Sequence, residues 1–202
     1  MLNVPPLWPS VLTPPAEVPA IKDLKANLYG VASNVEAWAS ALRLYAFAKQ
    51  KHVAMDRKDF WQWRFIACHE CGLQLHHLRE RMEKIKGYKL AACPSIAPFV
   101  NKGELRIATT LLDKQFPNID QLRHAIAHAG EFDTLPDGHV PAGDFGLVGF
   151  RENDRFSAYF EGELRTLGMT DESLAQITKI AARYLGAFEP AAKALELQGH
   201  LE

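Results

Sequence analysis

The sequence predicts a mainly α protein, an antiparallel helical bundle that carries one small β-hairpin insertion. Three observations predict it. Apolar residues recur at alternating steps of three and four over long stretches, prolines and glycines gather between those stretches, and one short region, about 145–160, changes to a period of two. Of the 202 residues, 48% are apolar and 23% charged, the balance of an ordered chain rather than a disordered one. That length supports one substantial core, so residues 21–202 are read as one helical domain behind a proline-rich arm, 1–20.

Within the arm, Pro5, Pro6, Pro9, Pro14, Pro15 and Pro19 fix φ, remove amide donors and hold their predecessors extended. Leu7, Trp8, Val11 and Leu12 interleave them, so the arm can dock on its own domain or on a second copy. From Ile21 to about His52, Val31, Val35, Trp38, Leu42 and Tyr45 share a helical face, with Gly30 as the point at which the helix could break. Asp59 can cap the next helix, which runs to about Lys86 with Phe65, Cys68, Leu75, Leu78 and Met82 on one stripe; Gly87 is read as its end.

Pro94 and Pro98 keep the following linker irregular, and a third helix is expected from Lys102 or Gly103 to Gln115, stopped by Pro117. Asn118 offers an N-cap for a short helix over Ile119 to Ala129 whose Ile119, Leu122, Ile126 and Ala129 face inward, with Gly130 closing it. Phe145 to Arg151 and Arg155 to Phe160 alternate around Glu152-Asn153-Asp154, as the arms of a hairpin do. Thr170-Asp171-Glu172 opens a last long helix, bent or broken before Pro190.

A formal net charge of −1 provides no general field for a polyanion, so any nucleic-acid site has to be local. The three cysteines, Cys68, Cys71 and Cys93, are an odd set in a chain without a charged segment followed by a cleavable apolar stretch, which points to a reducing, cytoplasmic setting. No apolar run approaches the roughly 18 residues that span a bilayer, so no membrane partner is expected.

The residues with the clearest chemical meaning lie in Leu122-Arg123-His124-Ala125-Ile126-Ala127-His128-Ala129, where four residues separate Arg123 from His128 and a polar side chain follows the arginine. This segment resembles the Arg-x4-6-His motif of the HEPN superfamily, and the order of helices around it, with a hairpin after the motif helix, resembles that of many members. The resemblance spans roughly residues 31 to 190 and rests on about eight of them. It implies a HEPN-like antiparallel helical bundle, a homodimer, an RNA-directed role, and a setting in toxin-antitoxin or defence systems with RNA, an antitoxin or another partner protein. Catalytic members are metal-independent endoribonucleases; the alternative is a catalytically inert scaffold or a module that binds a nucleotide or a protein.

The residue types suit such a reaction. His128 can transfer a proton near neutral pH as a ribose 2′-oxygen attacks phosphorus. Arg123 can hold two phosphate oxygens with its planar fork, and His124 can assist. Residues five apart on one helix lie ~140° apart around the axis and ~7.5 Å along it, so convergence needs a second motif helix, which the family's dimers supply. Neither a cofactor nor a metal is required. His124, His128 and Asp120 could be assembled into a metal site, but two histidines alone are a weak one.

Three other groups are weighed against simpler roles. Cys68-His69-Glu70-Cys71, with His76 and His77 nearby, invites a metal, yet both cysteines fall on or beside the apolar stripe, where free cysteine packs as a small hydrophobe. Leu73 also occupies the position at which an HExxH motif would need His. Arg79, Arg81, Lys84, Lys86 and Lys89 form the densest basic stretch, a solvated helix end or a phosphate-tracking patch. Trp61 and Trp63 are assigned to core and interface rather than to base stacking.

Overall fold

Prolines set where the first helix begins. In a computed structural model of the chain, which describes residues 2–55, 58–127, 145–151, 154–160 and 163–199, the extended arm gives way to α1 (Val18–Met55). Pro19 sits in its first turn, where a missing amide costs nothing. The chain continues through α2 (Lys58–Lys84), α3 (Lys102–Gln115), α4 (Ile119–Ala127), β1 (Phe145–Arg151), β2 (Arg155–Phe160), β3 (Glu163–Gly168), α5 (Asp171–Gly186) and α6 (Glu189–Leu197). The mainly helical architecture follows the expectation. No described helix is long and apolar enough to cross a membrane.

The chain divides into two compact units, one of residues 1–36, 77–115 and 176–202, the other of residues 37–76 and 116–175. In the first, Ile21, Leu24, Leu28, Leu78, Met82, Leu105, Ile177 and Phe188 bury their apolar faces. Tyr184 is enclosed there, its hydroxyl donating to the Met82 carbonyl at 2.6 Å, so burial leaves no phenol unpaired. The arm docks on this same unit: Leu7 is fully buried, Ser10 Oγ donates to Gln198 Oε1 at 2.7 Å, and the Val11 amide donates to the Gly199 carbonyl at 3.1 Å.

The helix α1 does not break at Gly30. A Cβ at that position would collide with the Arg81 guanidinium, whose Nε also donates to the buried Asn34 Oδ1 at 3.2 Å; the glycine admits a neighbouring side chain and interrupts nothing. Nor does Gly87 end the second helical region. A π-turn over Ile85–Lys89 inserts an extra residue, with the Leu90 amide donating to the Ile85 carbonyl, and the helix runs on through Ala91. Asn101 Oδ1 caps α3 through the Glu104 amide at 3.2 Å, and Thr170 Oγ1 caps α5 through the Ser173 amide at 3.2 Å.

In the second unit Trp38, Tyr45, Cys68, Cys71, Leu75, Leu122 and Phe156 form the core. The expected hairpin is present, and β3 extends it to an antiparallel sheet in the order β1-β2-β3, with Phe156 opposite both Phe150 and Leu167. The register of β1 against β2 shifts between Leu147 and Gly149. Helix α4 packs on this sheet, Ile119, Leu122, Ala125 and Ile126 facing inward. The inward position expected of Ala129, and the closing Gly130, lie outside the described residues. Trp61 and Trp63 are not core residues: both are over two-fifths exposed, Trp63 stacked with Phe47 at 6.3 Å and Trp61 with Phe65 at 5.4 Å.

Candidate functional site

Helix α4 is held in place by what surrounds it. Gly72 of α2 lets Ile126 approach so closely that a Cβ on Gly72 would stand 2.5 Å from Ile126 Cδ1. Before the helix, the Asn118 carbonyl accepts from the Leu122 amide at 2.9 Å, while its side-chain oxygen accepts from Arg165 Nη1 at 3.4 Å. The expected side-chain N-cap is thereby replaced by a tie to β3. Since Arg165 also pairs with Glu163, the start of α4 is fixed to an anchored guanidinium.

On this helix Arg123 is exposed and His124 half-buried, adjacent in sequence and projecting from neighbouring faces. Among the described residues Arg123 has no acidic partner, so its fork is available to an anion. The third member of the predicted set, His128, lies outside the described residues. One turn before His124, Asp120 reaches across to α2, its Oδ1 3.2 Å from His76 Nδ1. Nothing in the sequence pairs His76 with a residue 44 positions away. Among the described residues no group of three His, Cys, Asp or Glu side chains could hold a metal, and the pairing of Asp120 with His76 gives that carboxylate a role without one.

The remaining candidates fall into structural roles. Cys68 and Cys71 are fully buried, and Cys71 Sγ lies 3.7 Å from the Trp38 carbonyl; burial pushes both thiols well up from their ordinary range, so neither is a ready metal ligand or nucleophile. His69 leans on Phe65 at 4.3 Å and on Phe156 at 6.0 Å, and burial lowers its pKa. The basic stretch is largely satisfied: Arg79 bonds Asp113 at 2.9 Å, Lys84 approaches Glu80 at 3.5 Å, Lys86 meets Glu83 at 3.1 Å, and Lys89 meets Asp23 at 2.5 Å. With Arg81 turned toward Asn34, it is a helix end laced with local ion pairs rather than an open cationic track.

A second polar cluster was not legible in the sequence. Asp154, at the β1–β2 turn with a left-handed φ of 55°, accepts from Tyr45 Oη at 3.0 Å and from Lys49 Nζ at 2.5 Å, while Arg64 Nη2 donates to Tyr45 Oη at 3.3 Å. Burial works to raise the Asp154 pKa, but the hydrogen bonds from Lys49 and Tyr45 and the nearby positive charges hold it below the usual carboxylate range. Burial, opposed by Arg64 and aided by Asp154, pushes Tyr45 up to about 12. Tyr45, Lys49 and Asp154 line part of a cleft of about 570 Å³ and, with Arg64 on Tyr45, satisfy one another as a clamp of the sheet turn onto α1. The chain matches no protein-family model, and neither a curated protein nor a solved structure matches it.

Proposed function

We propose that the chain is a HEPN-like, RNA-directed domain, and that Arg123 and His128, assisted by His124, cleave RNA without a metal where two copies bring their motif helices together. The reading combines the motif spacing with one observation: Arg123 stands exposed, without an acidic partner among the described residues, on a helix held by Gly72, Ile126 and the Arg165–Asn118 tie. A guanidinium so presented can bind a phosphodiester in the plane of its fork and stabilise charge as it builds on the phosphoryl oxygens. An imidazole then moves the proton of the 2′-hydroxyl or of the leaving oxygen. His76, held by Asp120, is a second imidazole in the same unit, in the half-buried carboxylate-paired setting that fixes a ring's orientation.

The test is cleavage of mixed-sequence RNA by the purified protein in EDTA, with the product ends analysed for 2′,3′-cyclic phosphate. Arg123→Ala and His128→Ala are each expected to lower the rate by at least about 10²-fold, the scale of losing one transition-state charge stabiliser, with the circular dichroism spectrum unchanged. Equal rates in these variants would overturn the assignment. Complete inactivity of the wild type toward diverse RNAs would leave the inert scaffold as the reading.

A further inference from the structure

Three glycines sit inside the long helical segments, and only two have a steric reason to be there. A helix-interior glycine costs about 1 kcal/mol relative to alanine. Gly30 makes room for Arg81 and Gly72 makes room for Ile126, but at Gly87 nothing beyond the neighbouring residues and the helix's own backbone lies within 4 Å of where a Cβ would stand. Gly87, itself exposed, lines a cavity of about 300 Å³ in the first unit. On one wall lie Lys86, Leu90 and Ala91 of the π-turn and its continuation, and on the other Lys102, Leu105 and Arg106 of α3. The lining includes three cationic side chains and no acidic one. Among the described residues neither Lys102 nor Arg106 has an acidic partner, and Lys86 has only its exposed pair with Glu83 one turn away.

We infer that this cavity is a binding site for a small, soluble phosphate monoester, its phosphate held by Lys86, Lys102 and Arg106 and its organic body resting on Leu90, Ala91 and Leu105. A dianion near neutral pH matches a cluster of three cations. The aliphatic floor requires an apolar body rather than a bare ion, and the volume falls at the small end of ligand cavities. Gly87 lines the cavity and adds no side chain to it. The π-turn is the local distortion that often accompanies such sites. The site belongs to a different unit from α4 and stands or fails independently of the nuclease reading.

The experiment is calorimetric titration of the full chain at low salt with phenyl phosphate, inorganic phosphate and benzyl alcohol. Phenyl phosphate is expected to bind about tenfold more tightly than either of the others, because only it engages both cations and floor. Arg106→Gln and Lys102→Gln should each weaken it by about tenfold, the scale of one charge-assisted hydrogen bond. Gly87→Leu, whose Cβ would meet open space, is expected to fill the cavity and abolish binding, while Gly87→Ala retains it; Ala91→Leu, on the same exposed wall, repeats the block should Gly87→Leu fail to fold. Failure of phenyl phosphate to bind at millimolar concentration, or full binding by the variants that fill the cavity, would overturn the proposal. Binding to phosphatidic acid vesicles without binding to the soluble ester would overturn it equally, assigning the cations to a lipid surface.

Discussion

Removing one oxygen from Tyr45 tests the clamp at the sheet turn. The ring is only 2% exposed, and its hydroxyl donates to the Asp154 carboxylate at 3.0 Å while accepting from Arg64 at 3.3 Å. Tyr45→Phe keeps the ring and deletes both bonds. A hydrogen bond to a charged group is worth about 1.5–3 kcal/mol, and Lys49 remains on Asp154 to limit the loss, so a cost of about 2 kcal/mol is expected at pH 7. The phenol carries its own pH signature. Its folded pKa is raised to about 12 from an ordinary 10, so the stability it confers is full below pH 10 and is lost as pH rises through 12. Two units correspond to roughly 2–3 kcal/mol, which is close to the hydrogen-bond cost, so the gap between wild type and Tyr45→Phe should close between pH 10 and 12. Urea unfolding followed by far-UV circular dichroism at pH 7, 9, 11 and 12 reads both effects. A variant as stable as wild type at pH 7, or a gap that stays constant to pH 12, would show that Tyr45 is only packed and not bonded.

His69, whose pKa burial lowers, stays neutral in the fold while the unfolded chain takes up a proton; its contribution is present above the unfolded pKa of about 6.5 and is lost as pH falls below it. His69→Phe should therefore gain stability relative to wild type at pH 5.5 compared with pH 7.5, and parallel unfolding curves at both pH values would contradict this. Gly30→Ala should lose about 1–2 kcal/mol, the overpacking against Arg81 exceeding the gain in helix propensity, whereas Gly87→Ala should gain about 1 kcal/mol. Thermal unfolding that moves both variants in one direction would reject the distinction between a filled and an open glycine. A double-mutant cycle on His76→Ala and Asp120→Ala should yield a coupling of about 0.2–1 kcal/mol, the range for a pair with one partner exposed, and zero coupling would remove the tie between α2 and α4.

Helices α3, α4 and α5 and the first hairpin were legible because each has a clear period set off by boundary signals: Asn118 before α4, Pro117 after α3, the break before Pro190 after α5, the turn residues between β1 and β2. The third strand was not. Of Glu163 to Gly168 only Leu167 is buried, so the alternation that marks a half-buried strand is nearly absent; β3 is held by backbone pairing with β2 and not by an apolar face. The errors at Gly30 and Gly87 share a cause, since glycine in a sequence signals backbone freedom, whereas here it signals space taken by another side chain or left open. For the site, Arg123 and His124 could be found because they share one helix. His76 with Asp120, and Tyr45 with Asp154, are joined only by tertiary packing across 44 and 109 positions, which no local pattern encodes.

The arm's seat has a consequence for how the molecule is made. Ser10 and Val11 bond Gln198 and Gly199, and Gln198 leaves the ribosome 188 residues after Ser10. At ~5–20 residues per second the wait is roughly 10–40 s. Until Gln198 and Gly199 emerge, Leu7 and its neighbours travel without these anchors, an interval in which a chaperone could hold the nascent arm.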